Sequence, residues 1–372
     1  MRLSLGFASL VFFAACTSDT PASDAGRADS SLADGGTDGF AVDAGLLAPS
    51  CGVPFEGAAP PPVVVPACAI PLPSAPTPVV MENLADGVVA HRNLHIAMRG
   101  GVSLEGDLYV PPAASGLLIV VHGGGWLDCM NRRDAMSLYA ELIARTLGIA
   151  TLNVEYRLSQ EGGGYPENVM DVICAVQWAH DHVADYGLKD RVGMVGTSAG
   201  AHLALMAGLV GERADLDPGC GTNASLDLVL AYAAPTDLPT LVDSPSEVRE
   251  APRLYTGERC DIPVDGCLAE RRGCTRCVDA SPLAHACTAS APIVLLQAPD
   301  PYDVLVPEQQ ARVMATALEA NGADVTLVIP TDAEMRASGC TPEGGSHALD
   351  GCMLMVGGAV VNPLLLERLG PR

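Results

Sequence analysis

The chain has 372 residues, of which 49% are hydrophobic. This is enough for one α/β domain of roughly 250–300 residues with appended segments. The 44 acidic residues outnumber the 21 Lys and Arg, and the resulting formal net charge of −23 disfavours binding to nucleic acids or to anionic lipid headgroups. Thirteen cysteines indicate an oxidising compartment.

The N-terminus has the pattern of an export signal. Met1 and Arg2 form a short basic start, and the mainly apolar stretch that follows as far as Ala15 is too short to stay in a membrane as a span. We therefore predict a signal peptide over residues 1–15.

Residues 13–16, with the sequence FAAC, resemble the bacterial lipobox, in which the cysteine is diacylated and becomes the mature N-terminus. The resemblance implies lipidation of Cys16 and a membrane contact through lipid alone, because two acyl chains anchor a protein stably. Thr17 after the cysteine favours the outer membrane, with the rest of the chain in the periplasm or at the cell surface. The alternative is a simple cleaved signal peptide in which Cys16 is incidental.

Residues 16–78 have the composition of a tether. Asp, Ala, Gly, Ser and Thr dominate from Thr17 to about Ala48, and such a segment cannot bury enough apolar surface to order itself. A Pro-rich stretch from Pro54 to Pro78 then predicts a semi-rigid, extended connector. We expect the folded domain to occupy residues 79–372.

Within this domain, apolar strands alternate with helices. This alternation predicts the α/β class, with a doubly wound, mainly parallel sheet that is covered on both faces. The predicted strands are 102–110, 117–121, 149–154, 191–195, 226–233, 293–296 and 325–329. The predicted helices are 134–147, 167–183, 199–209, 307–320 and 353–368.

Residues 238–291 interrupt this alternation, and we interpret them as an inserted cap. Caps of this kind lie over the carboxyl ends of the strands, where open α/β sheets bind ligands. The segment contains five cysteines: Cys260, Cys267, Cys274, Cys277 and Cys287.

The run Gly196-Thr197-Ser198-Ala199-Gly200 follows a predicted strand and opens a predicted helix. This is the context that the nucleophile-elbow motif G-x-S-x-G requires. The turn is so tight that its flanking positions need glycine, and it exposes the Ser198 hydroxyl at a helix N-terminus whose dipole favours negative charge. We predict that Ser198 is a nucleophile.

The glycine-rich loop at residues 122–125 follows another predicted strand. Its glycines allow the N–H groups of Gly123 and Gly124, together with that of Ala199, to form an oxyanion hole. His122 is expected to position this loop rather than to act as a base. A phosphate-binding role is rejected because no Lys-Ser/Thr pair follows the glycines.

Three motifs together resemble the hormone-sensitive-lipase-like and carboxylesterase branch of the α/β-hydrolases. They are HGGGW at residues 122–126, NVEYRL at 153–158 and GTSAGAH at 196–202, and the resemblance covers about residues 88–366. It implies the chain order Ser, Asp, His, so that both partners of Ser198 come later in the sequence.

The acid is predicted to be Asp303, because residues 303–307 match the D-x-x-V-P pattern of that branch. Asp300 remains an alternative, since it lies three residues away and the His-Gly that usually precedes the pattern is replaced by Gln297-Ala298. Either carboxylate would orient the imidazole and stabilise its charged form.

The general base is predicted to be His347, which lies just after the last predicted strand and is the one histidine that follows Asp303. His285 precedes the acid and is therefore out of order. The remaining histidines are expected to be solvated or packed, because none ends a predicted strand: His91, His95, His180, His182 and His202.

Apart from Cys16, twelve cysteines remain, which allows up to six disulfides whose pairing the sequence does not define. A bond between Cys340 and Cys352 would close a short loop around His347. Cys174 is either paired or a buried thiol. Cys274 and Cys277 have zinc-ligand spacing, but no second ligand pair lies nearby, so we predict no metal.

These residues predict a carboxylesterase-type serine hydrolase that forms an acyl-enzyme and needs no cofactor. Small esters and acylated polysaccharides are the expected substrates, with formamides and peptides left open. A catalytically inactive relative that binds a ligand or a protein through the cap is the alternative from another class. The oligomeric state cannot be inferred from the sequence.

Overall fold

A computed structural model describes residues 67–243, 246–258, 260, 275–287, 289, 291–342, 347 and 351–371. The predicted signal peptide, Cys16 and the tether as far as residue 66 lie outside these residues. So do Cys267 and Cys274 of the predicted cap.

The strands agree closely with the predicted ones, but two precede them that the sequence analysis missed. The bounds are β1 Val80–Asn83, β2 Val89–Arg99, β3 Val102–Val110, β4 Leu117–Val121, β5 Ala150–Val154, β6 Val192–Thr197, β7 Leu228–Tyr232, β8 Ile293–Leu296 and β9 Val325–Val328.

The predicted helices are present as well, and the described residues include three further helices that were not predicted. The bounds are α1 Ser137–Leu147, α2 Glu167–His182, α3 Ala199–Val210, α4 Ser246–Thr256, α5 Thr275–Asp279, α6 Glu308–Ala320, α7 Asp332–Ala337 and α8 Gly351–Arg368. The helix predicted from residue 134 begins instead as a 3-10 turn, Arg133–Met136, and becomes α-helical at Ser137.

The described strands form one sheet in the order β1-β2-β3-β5-β4-β6-β7-β8-β9. The pairs β1/β2, β2/β3 and β3/β5 are antiparallel, and all pairs from β5 to β9 are parallel. The prediction of a mainly parallel sheet is therefore confirmed. Because β4, β6 and β8 run in the same direction, the loops that follow them emerge at one edge of the sheet.

Helices cover both faces of the sheet, which explains why the central strands are continuously apolar. In β4, Leu117, Ile119 and Val121 pack into the core beneath α2 and α3, whereas Leu118 and Val120 pack into the core beneath α1 and α8. The alternation of side chains along a strand thus gives each of the central strands β4 to β8 two buried faces.

Three disulfides join described residues, namely Cys68–Cys129, Cys174–Cys220 and Cys260–Cys277. The second shows that Cys174 is paired and is not a buried thiol. The third uses Cys277, one of the two cysteines with zinc-ligand spacing, in a bond within the predicted cap.

None of the helices in the described part of the chain has the length and the apolar character that crossing a bilayer requires.

Candidate active site

Ser198 lies between the end of β6 and the first residue of α3, in a strained turn. Its backbone has φ 53° and ψ −121°, which few non-glycine residues adopt outside functional turns. The Ser198 N–H donates to the carbonyl of Tyr232 at the end of β7, at 2.8 Å, and so secures the turn to the sheet. The predicted strand–turn–helix context is present.

The turn closes only because two flanking positions lack a side chain. A Cβ atom on Gly196 would lie 2.1 Å from the carbonyl oxygen of Gly200. A Cβ atom on Gly200 would lie 2.3 Å from the carbonyl oxygen of His122 and 2.4 Å from that of Val121. The start of α3 therefore packs directly against the backbone at the end of β4, which brings the two glycine motifs together.

The loop after β4 runs beside Ser198. A Cβ atom built on Gly123 would lie 3.3 Å from the Ser198 Cβ, and Gly124 has φ +100°. Gly123, Gly124 and Ala199 all line one cavity with Ser198. The structure thus brings together the groups that the sequence analysis assigned to an oxyanion hole.

His122 lies beneath this loop and is fully buried. Its Nδ1–H donates to the carbonyl of Gly123 at 2.9 Å, and Nε2 lies 2.9 Å from Oε1 of Glu155. The ring stacks on Tyr156 with a centroid distance of 4.2 Å, and the Tyr156 hydroxyl donates to the carbonyls of His122 and Gly123. These contacts match the loop-positioning role expected for His122.

Glu155 and Tyr156 support the loop, and the sequence analysis assigned them no role. Burial alone would raise the pKa of Glu155. The nearby His122 and the guanidinium of Arg132 stabilise its charged form more than burial disfavours it, so the pKa lies below its usual value. Glu155 is therefore a buried anion beneath the oxyanion loop. The only signal for it was its position within the NVEYRL motif.

Asp303 and His347 meet on the other side of the cavity. Nδ1 of His347 lies 2.9 Å from Oδ2 and 3.1 Å from Oδ1 of Asp303. The Asp303 side chain is fully buried, and its Oδ1 also accepts the N–H groups of Leu305 and Val306, at 2.9 and 3.0 Å. Gln297 donates to Oδ2 at 3.0 Å. The carboxylate is thus held in one orientation towards the imidazole.

Asp300, the alternative acid, lies elsewhere. It is exposed, and its Oδ1 accepts the backbone N–H of Glu308 at 3.4 Å. Its contacts fix the loop before α6. The geometry brings Asp303, and not Asp300, into contact with His347.

Ser198 and His347 line the same cavity, whose volume is about 620 Å³. No hydrogen bond joins these two described residues, which is common in a free enzyme, where such contacts often tighten when substrate binds. The cavity is mostly apolar. Besides the residues named above, its walls include Trp126, Asp128, Asn131, Met136, Leu241, Ala251, Leu305 and Val306.

Leu241 and Ala251 belong to the predicted cap, and so does Tyr255 of α4. Tyr255 stacks on Trp126 with a centroid distance of 4.4 Å and an angle of 7° between the rings. The described part of residues 238–291 therefore contributes to the cavity wall and packs against the oxyanion loop.

Two other buried histidines are structural. His202 bonds through Nε2 to the carbonyl of Ala280 at 2.7 Å, and burial lowers its pKa to about 4. His285 bonds through Nε2 to the carbonyl of Asp279 at 2.7 Å, and burial likewise lowers its pKa. The contact of His202 joins α3 to the predicted cap, and that of His285 joins two residues within the cap.

Cys340 is disulfide-bonded. The side chain of Cys352 lies outside the described residues, so the predicted Cys340–Cys352 bond stays a prediction. Among the described residues, no group of three or more His, Cys, Asp or Glu side chains is arranged to hold a metal ion.

Comparison with known proteins gives a family match over residues 107–318, to the model named BD-FAE. The esterase LipQ of Mycobacterium tuberculosis is 33% identical to this chain over 126 residues, which is 34% of the chain and 28% of LipQ. The chain thus aligns with less than a third of this relative.

Two solved structures resemble the fold. A thermophilic esterase of Thermogutta terrifontis, Est2 with propionate bound, has a TM-score of 0.56 and 18% identity over 75% of this chain and 95% of its own. A truncated carbohydrate esterase from gut microbiota has a TM-score of 0.53 and 19% identity over 64% of this chain and 86% of its own. At such identities the likeness shows the fold alone, and it is the fold that the motifs predicted.

Proposed function

Because the chain belongs to the BD-FAE family, we propose that it hydrolyses carboxylic esters through a covalent acyl-enzyme on Ser198. The observation that carries this proposal is the contact between His347 and the buried Asp303, at 2.9 Å, on the cavity that Ser198 also lines. Acyl transfer by serine needs a base close to the nucleophile and a group that orients the base.

In this mechanism His347 accepts the proton of the Ser198 hydroxyl while the oxygen attacks the ester carbonyl. The N–H groups of Gly123, Gly124 and Ala199 donate to the oxyanion that forms. Asp303 holds the imidazole through Nδ1 and stabilises its positive charge without taking the proton. His347 then protonates the leaving alcohol, and water releases the acid by the same steps.

The geometry supports esters whose acyl or alcohol part is small and carries no negative charge. Described residues give the cavity apolar walls, including Trp126, Met136 and Leu241, while Asp128 and Asn131 offer polar contacts. Short-chain esters and acylated polysaccharides both fit this description. The relatives named as esterases point in the same direction.

A fluorophosphonate probe tests the proposal, because it reacts covalently with an activated serine. The unsubstituted protein should be labelled, and Ser198→Ala should lose both labelling and the hydrolysis of p-nitrophenyl acetate, with kcat lower by about 10⁴-fold or more. Ser225→Ala, on the loop before β7, serves as the matched control and should keep both. Folded protein that takes up no label would favour the inactive binding module instead.

A further inference from the structure

Gln297 is the first residue after β8 and is completely buried. Its Nε2 donates to Oδ2 of Asp303 at 3.0 Å and to the carbonyl of Val306 at 2.8 Å. One side chain therefore spans the loop from its first residue to its far end and contacts the acid in between.

The other contacts of Asp303 leave Oδ2 in need of this donor. The N–H groups of Leu305 and Val306 both bind Oδ1, so among the described residues the fixed donor on Oδ2 is Gln297, beside the imidazole itself. The last torsion of an Asp side chain has a broad energy minimum. A donor on the second oxygen therefore sets the plane of the carboxylate.

The amide oxygen of Gln297, Oε1, also bears on the role of this residue. Gln297 Oε1 is buried and has no hydrogen-bond partner among the described residues. Turning the amide over would place this oxygen against the Asp303 carboxylate and the Val306 carbonyl, where acceptor would face acceptor. An amide that leaves one buried acceptor unsatisfied is a poor choice for stability alone.

We propose that Gln297 is a positioning residue, which acts on the base His347 by holding the carboxylate of Asp303. This inference rests on the proposed function and assigns the amide a part in it. In the resembled branch His-Gly usually stands where this chain has Gln297-Ala298. The sequence therefore shows that this position differs from the branch, but it does not show the hydrogen bond from Gln297 to Asp303. Among the described residues, the titratable groups that meet here are Asp303 and, through it, His347.

Gln297→Met tests the proposal, because methionine has nearly the same length and no donor. Without the amide N–H, more negative charge on Asp303 remains available to the imidazolium, which should keep its proton to higher pH. We expect kcat for p-nitrophenyl acetate to fall about tenfold with KM within twofold. The midpoint of the acidic limb of kcat/KM should rise by several tenths of a pH unit.

Gln177→Met is the matched control. Gln177 lies on α2, away from the cavity, and is also buried. Its Nε2 donates to Oδ1 of Asp217 at 2.9 Å. The two variants should lose comparable thermal stability, and only Gln297→Met should move the pH profile. An unchanged or lowered midpoint in Gln297→Met would overturn the proposal.

Gln297→Glu gives a second readout that a structural role would not move. While protonated, the carboxyl introduced by this substitution could still donate to Asp303, whereas once ionised it would repel Asp303. Activity should therefore fall earlier on the alkaline side than in the unsubstituted protein. An unshifted alkaline limb would count against the inference. If the unsubstituted protein hydrolyses esters while the Gln297 variants behave like the control, this inference fails and the esterase proposal stands.

Discussion

The two sides of the cavity are built by different means. The nucleophile half, residues 121–126 and 196–202, lies on the adjacent parallel strands β4 and β6, where Val121 is paired with Gly196. The acid–base half, residues 297–306 and His347, lies on loops and depends on the hydrogen bonds that Gln297 and His347 make to the carboxylate of Asp303. Backbone packing leaves no room for adjustment, while side-chain contacts can be changed one at a time.

The largest effect should follow from adding one carbon to the nucleophile half. In Gly200→Ala the new Cβ would meet the carbonyl oxygens of Val121 and His122 at 2.4 and 2.3 Å, so α3 must move off the end of β4. We expect no measurable esterase activity and poor yield of folded protein, measured by circular dichroism and by hydrolysis of p-nitrophenyl acetate.

The control for that substitution is Gly358→Ala in α8, where the one described atom near the added Cβ is Asn362 Nδ2, at 3.5 Å. Alanine favours a helix by about 1 kcal/mol over glycine, so this variant should be as stable as the unsubstituted protein or more so. An active, well-folded Gly200→Ala protein would contradict the view that backbone packing builds this half.

The acid–base half should lose rate without losing its fold. Asp303→Asn removes the charge that stabilises the imidazolium and favours the wrong tautomer, so kcat should fall by about 10³–10⁴-fold while circular dichroism still shows a folded protein. Asp300→Asn, at an exposed position of the same loop, should stay within about threefold of the unsubstituted kcat. If Asp300→Asn proved the more damaging, the acid would be Asp300.

The same contrast explains what the sequence could predict. Strands such as Leu117–Val121 and Ile293–Leu296 have the predicted bounds, because continuous apolar runs of this length identify buried parallel strands. Ser198 and the glycines of the nucleophile half follow from local patterns, since tight turns restrict the residue type. The antiparallel strands β1 and β2, at one side of the sheet, were missed because they precede the parallel units whose alternation with helices guided the prediction.

Contacts between segments that are distant along the chain could not be predicted from the sequence. The pairing of Cys68 with Cys129 joins residues 61 positions apart, and spacing alone does not define such a partner. The bond from Gln297 to Asp303 likewise depends on how the loop after β8 folds back. The role of Glu155 could not be predicted for the same reason, since its hydrogen-bond partner His122 lies 33 residues earlier.

Charge provides the last and smallest test of the comparison. Asp303 is buried and accepts four hydrogen bonds from described groups. Asp128, next to the oxyanion loop, is instead exposed on the cavity wall. Its Oδ1 accepts the N–H of Met130 at 2.9 Å. No Lys or Arg is among the described residues that line the cavity. Asp128 should therefore favour a cationic ester over an anionic one.

The measurement compares kcat/KM for two aryl esters of equal size that carry a trimethylammonium or a sulfonate group at the same position. An interaction of about 1.4 kcal/mol, within the range for charges about 4 Å apart near a surface, corresponds to about tenfold. The ratio of cationic to anionic ester should fall by about that factor in Asp128→Asn, and added salt should reduce it in the unsubstituted protein. Asp324→Asn, at the amino end of β9 and hence at the opposite edge of the sheet, removes the same charge and should leave the ratio unchanged. Equal losses in the two variants would assign the preference to the net charge of −23 rather than to Asp128.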